Sequence, residues 1–153
     1  MEKKDFKKIL LKTAVGAIAC DGHIDDKEKQ ALYNIEKESP YFFSENLKSL
    51  LENYLEECII DIDLFNNNLF DEIKNSKLSI VEQLTLLEIS LRIIAADEIE
   101  EDAEKSFIIR LRNSIKLSDN MVKQRFGDIA YLEVSEFKSF NPLDDISEGN
   151  SKK

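Results

Sequence analysis

Tryptophan is absent from this chain, histidine occurs once, cysteine and proline twice each, and glycine four times in 153 residues. So few glycines and prolines leave few turn signals, which counts against a many-stranded β protein and in favour of helices. The two cysteines, Cys20 and Cys58, set up no disulfide framework and read as reduced thiols of a cytoplasmic protein. With His23 the only histidine, no nucleophile–base pair can be assembled and no enzyme activity is expected. No apolar run is long enough to span a membrane. Positive charge is the scarcer sign, 21 Lys and Arg against 31 Asp and Glu, and the net charge of −10 excludes nucleic-acid binding through the overall field.

The N-terminus carries Lys3, Lys4, Lys7 and Lys8 ahead of an apolar run ending at Ala19-Cys20, an arrangement shared with bacterial lipoprotein signals. Asp5 and Lys12 interrupt it, however, and an amphipathic helix accounts for the same residues. What the chain does have is 42% hydrophobic and 34% charged residues, enough apolar material for one globular domain with its own core. That domain is expected over 1–143, followed by a flexible polar tail over 144–153.

Apolar residues recur at three- and four-residue steps through most of the chain, predicting an all-α bundle of about seven helices. The first covers about Lys3 to Cys20, with Gly22 as its C-terminal cap. The second follows Asp25 and Glu28, which have capping-box spacing, and stops before Pro40. A third runs from about Ser44 to Ile62, and a shorter fourth is expected around a weak spot at Asn66-Asn67-Asn68. The fifth, about Ser79 to Ala96, opens on the capping box Ser79/Glu82. Its stripe of Ile80, Leu84, Leu87, Leu91 and Ile94, widened by Val81, Leu86, Ile89 and Ile93, predicts a place at the bundle centre. A sixth covers about Asp102 to Lys116, and a seventh about Ser118 to Phe126. Residues Ile129 to Phe140 are ambiguous, although Tyr131, Val134 and Phe137 suit a docking helix face.

One pattern occurs twice. An apolar helical run ends in Asp21, a short acidic loop follows, and Glu28 opens the next helix; Asp97 and Glu104 repeat this with the same seven-residue step, 76 residues further on. The chain therefore reads as an internal duplication of a helix–acidic loop–helix unit.

The run Val15 to Glu28, containing Asp21-Gly22-His23-Ile24-Asp25-Asp26-Lys27-Glu28, resembles the first signature of the TerB-like (tellurite-resistance protein B) domains. Leu91-Arg92-Ile93-Ile94-Ala95-Ala96-Asp97 through Glu104 resembles the second, and the match spans roughly Phe6 to Met121. The resemblance implies an all-helical domain with pseudo-twofold halves and an acidic, metal-binding site built from Asp21, Glu28, Asp97 and Glu104. It also implies a small non-enzymatic component of stress, tellurite-resistance or phage-defence systems, acting beside other proteins. The second copy departs from the first: Glu98 stands where Gly22 does, and Ile99 sits one position early relative to Ile24. A different backbone is therefore expected in the second loop.

Two readings compete for the acidic loops. As capping residues, Asp25, Asp26 and Glu28 complement a positively polarised helix N-terminus without any ligand. As ligands, Asp21, Asp25 and Glu28, joined by Asp97 and Glu104, offer the oxygen donors that Ca²⁺ or Mg²⁺ takes. Zinc has only Cys20 and His23 as softer donors, which favours the hard cations. A metal-free alternative is an interaction module, in which Lys105, Arg112 and Lys116 return to nearly one azimuth of the sixth helix and form a water-facing basic ridge for an acidic partner protein.

Overall fold

The computed structural model describes the backbone of residues 3–24, 26–38, 47–97, 102–129 and 132, and their side chains except those of 3, 4, 36–38, 47, 48 and 97. Among the described residues there are seven α-helices, 3₁₀ structure at Ala95–Asp97 and Leu132, and no strand. The helices are α1 (Lys3–Ala19), α2 (Asp26–Glu38), α3 (Leu47–Ile60), α4 (Ile62–Asn75), α5 (Ile80–Ile94), α6 (Asp102–Ser114) and α7 (Asp119–Phe126), with the 3₁₀ turn at Ala95–Asp97. The all-α expectation holds. None of these helices is long and apolar enough to cross a membrane. The expected tail over 144–153, the docking face at Tyr131, Val134 and Phe137, and the second-loop residues Glu98 and Ile99 lie outside the described residues.

The chain divides into two compact units, residues 1–115 and 116–153. In the first, the central helix is α1 rather than α5. From Ile9 to Ala19 only Lys12 escapes burial, and α1 packs against α2, α3, α4, α5 and α6. Small side chains allow this: Ala14, Ala17 and Ala19 are fully buried and let neighbours approach from several sides. At Gly16 the approach is closest, since a Cβ there would lie 2.6 Å from the Phe107 ring and 2.9 Å from Asn66 Oδ1.

The face that α5 buries is rotated from the expected stripe. Leu86, Leu87, Ser90, Ile93 and Ile94 are buried, whereas Leu84 and Leu91 are half-buried and Ile80 and Val81 exposed. Counting apolar residues placed the stripe off centre, because buried Gln83 and Ser90 contribute to the inner face without adding hydrophobicity. The Gln83 amide donates to the carbonyls of Leu78 and Ser79 at the start of the helix.

The break between α3 and α4 falls at Asp61, before the asparagine run. Asp61 is extended (φ −154°, ψ 91°), and its carboxylate accepts from Leu64 N–H at 3.1 Å, an N-cap that restarts the helix. The asparagines then lie inside a continuous α4. Asn66 is buried, and Asn67 Oδ1 accepts from the Arg110 guanidinium, which also covers the Phe70 ring at 4.6 Å. Phe70 in turn packs on Phe107 with centroids 5.3 Å apart, fixing α4 against α6. The capping box of α5 forms as expected: Ser79 N–H donates to Glu82 Oε1 at 2.8 Å and Glu82 N–H to Ser79 Oγ at 3.1 Å.

In the second unit, Ser118 Oγ accepts from Met121 N–H at 3.2 Å and caps α7. Gly127, at φ 87°, ends the helix by donating to Lys123 C=O. Leu117, Val122 and Leu132 are buried.

Candidate functional site

The first acidic loop begins where α1 ends. Gly22 takes φ 87° and its N–H donates to Ala19 C=O at 2.9 Å, closing the helix as the sequence predicted. Asp21 would oppose the negative end of the helix dipole, but its Oδ1 accepts from His23 N–H at 2.9 Å. A local donor therefore already serves this carboxylate. His23 and Ile24 are exposed, and Asp25 lies outside the described residues.

Glu28 is the third residue of α2 and only 1% exposed. A residue that merely capped the helix from the surface would be solvated; this one is inside. Glu104 repeats the placement, as the third residue of α6 and 1% exposed. Around them, Asp26 and Asp102, each the first residue of its helix, are exposed. The seven-residue step from Asp21 and from Asp97 thus ends, each time, on a buried glutamate at the third position of a helix.

The charges of both glutamates are felt at one side chain. Cys20 is half-buried, and its Sγ–H donates to Ala17 C=O at 3.4 Å. Its thiol is pushed far above the ordinary range by burial first, then by the negative charges of Glu104, Asp21 and Glu28. Groups from both loops therefore act within electrostatic reach of one sulfur atom. The 3₁₀ turn that carries Asp97 packs against α2, which sets the opening of the second loop beside the helix that carries Glu28. The Asp97 side chain lies outside the description.

This surrounding decides what the cysteines do. A thiolate at Cys20 would be both desolvated and repelled, so the sulfur stays protonated and is neither a ready nucleophile nor a pre-ionised zinc ligand. Cys58 is raised to about 11, chiefly by burial and secondarily by Glu57. Both are free thiols. Among the described residues, no group of three or more His, Cys, Asp or Glu side chains is placed to hold a metal ion, with Asp25 and the Asp97 side chain outside that set.

The basic ridge does not form as a water-facing surface. Lys105 and Lys116 are exposed, but Arg112 is 0% exposed and ranks among the largest fully buried side chains. The seven-residue step does bring Lys105 and Arg112 to a similar azimuth. Burial also depends on position along the axis, however. Lys105 is in the first turn, whereas Arg112 lies one turn beyond buried Ile108 and beside buried Leu111, where α6 is flanked by α1, α4 and α5. Lys116 follows the end of α6 at Ser114 and belongs to the second unit. Arg110, two residues before Arg112, is exposed but engaged with Asn67 and Phe70. The available signal for Arg112 was its place between Ile108 and Ile115 on the buried stripe, where a charged residue is unusual unless the fold uses it.

No family model, curated protein or solved structure matches the chain.

Proposed function

We propose that the chain is a non-catalytic cytoplasmic component of a stress or defence system, akin to the TerB-like domains, and that its duplicated acidic loops hold Ca²⁺ or Mg²⁺ through Asp21, Asp25, Glu28, Asp97 and Glu104. The observation that carries this reading is the pair Glu28 and Glu104. Both are 1% exposed, both are the third residue of a helix, and both raise the Cys20 thiol. Two buried carboxylates at matching helical positions set oxygen donors inside the fold, where a surface cap would be solvated. Ca²⁺ or Mg²⁺ takes such oxygen donors.

The test is a titration of the full chain with Ca²⁺ and Mg²⁺, and with Zn²⁺ as comparison, followed by melting temperature. An ion that binds the folded state stabilises it by about 2.7 kcal/mol at one hundred times its Kd. The expected result is a rise with Ca²⁺ or Mg²⁺ that Glu28→Gln and Glu104→Gln each abolish. If neither ion moves the melting temperature at millimolar concentration, the loops are capping structures and the metal reading fails.

A further inference from the structure

At the turn between α3 and α4 a groove of 310 Å³ opens beside α1. Its walls include the buried Phe65 and Leu69, and at its mouth stand Ile60 and Leu64, 85% and 56% exposed. Ile59, next to Ile60, is 42% exposed. The local structure explains the projection: α3 runs to Ile60 with no basic residue in its last turn, and the single extended residue Asp61 restarts the chain as α4. Isolated exposed apolar residues are ordinary, but here they rim a concave surface with an apolar wall, as at helix-accepting grooves.

Charge selects the occupant. Glu57, Asp61 and Glu72 line the same groove, with Lys12 the one cation among the described residues that line it. Lys12 is already committed, with its ammonium 3.3 Å from Glu72 and 5.7 Å from the Tyr54 ring centroid. Neither Glu57 nor Asp61 has a cation within ion-pair distance among the described residues. A second copy of this chain, docked by the same face, would set these acids against themselves. The geometry points to a partner protein's amphipathic segment, with apolar side chains filling the groove beside Ile60 and Leu64 and flanking lysines or arginines on Glu57 and Asp61. This surface is separate from the acidic loops and does not depend on metal binding.

The probe is a fluorescein-labelled amphipathic peptide of about 18 residues, built of leucine and lysine with leucines at three- and four-residue steps. A leucine–glutamate counterpart serves as control. The full chain should bind the lysine peptide with a saturable one-to-one anisotropy change and ignore the glutamate peptide. Ile60→Ser combined with Leu64→Ser leaves every charge in place and should weaken binding about tenfold or more. Glu57→Lys, on the solvent side of α3, should weaken it independently and at low salt most of all. Equal affinity of the serine variant would reduce the contact to bulk attraction for a chain of charge −10 and overturn the proposal. Absence of wild-type binding would overturn it too, as would self-association in sedimentation that the serine variant abolishes.

Discussion

Arg112 shows how much a single residue can mislead from sequence. Its charge and its azimuth match those of Lys105, yet one is buried and the other exposed. A fully buried guanidinium is held by the fold around it, and truncating it both opens a cavity and strips its polar neighbours of their counterpart. Arg112→Ala should therefore cost about 3–5 kcal/mol in urea unfolding, whereas Lys105→Ala should stay within about 0.5 kcal/mol of wild type. A similar small cost at both positions would restore the solvated ridge. Gly16 makes the opposite kind of demand. Alanine there would place a methyl 2.6 Å from the Phe107 ring, so Gly16→Ala should lose about 1–3 kcal/mol despite alanine's better helix propensity. Cys58 adds a pH dependence. Its thiol titrates at about 11 in the fold against an ordinary 9.0, so the unfolded chain gives up that proton first. The contribution of Cys58 to stability is complete below pH 9.0 and falls away as pH rises towards about 11. Urea midpoints compared across that window should decline less steeply for Cys58→Ala than for wild type.

The helices themselves were largely legible, since each depends on a local period and a local cap. Ser79 with Glu82, Ser118, and Gly22 at positive φ form the caps that their residue types announce. The failures arose where a helix boundary or face depends on what packs against it. Three successive asparagines look like a break, but Asn66 lies buried against α1 and Asn67 is held from α6 by Arg110, so tertiary contacts carry α4 through them. The actual break depends on Asp61, an acidic residue that competes with several others nearby as a candidate cap. Asp61→Ala should cost about 1 kcal/mol and Asp61→Ser should recover most of it, since serine also caps. Equal destabilisation by both would mean that the aspartate matters for its charge rather than its cap. The central place of α1 was hidden for a related reason. Alanine and glycine add little to an apolar count, yet they are what lets five helices crowd around one.

At the scale of the molecule, the sequence conveyed the repeated loop and its spacing, and the structure adds that both glutamates of that repeat are inside. It could not convey that Cys20 lies within reach of both, because that meeting is made by helices far apart in the chain. Nor could it announce the groove at Ile60 and Leu64, which exists only once α3 and α4 fold back at Asp61. We propose that Glu28 and Glu104 belong to one site. It is tested most directly by a double-mutant cycle on stability, using Glu28→Gln, Glu104→Gln and the two together, measured by urea unfolding with and without the cation found to bind. A shared site gives a coupling energy of about 0.5–3 kcal/mol, larger when the ion is present. Substitutions that add to within about 0.3–0.5 kcal/mol under both conditions would contradict it, and would make the two loops separate capping structures.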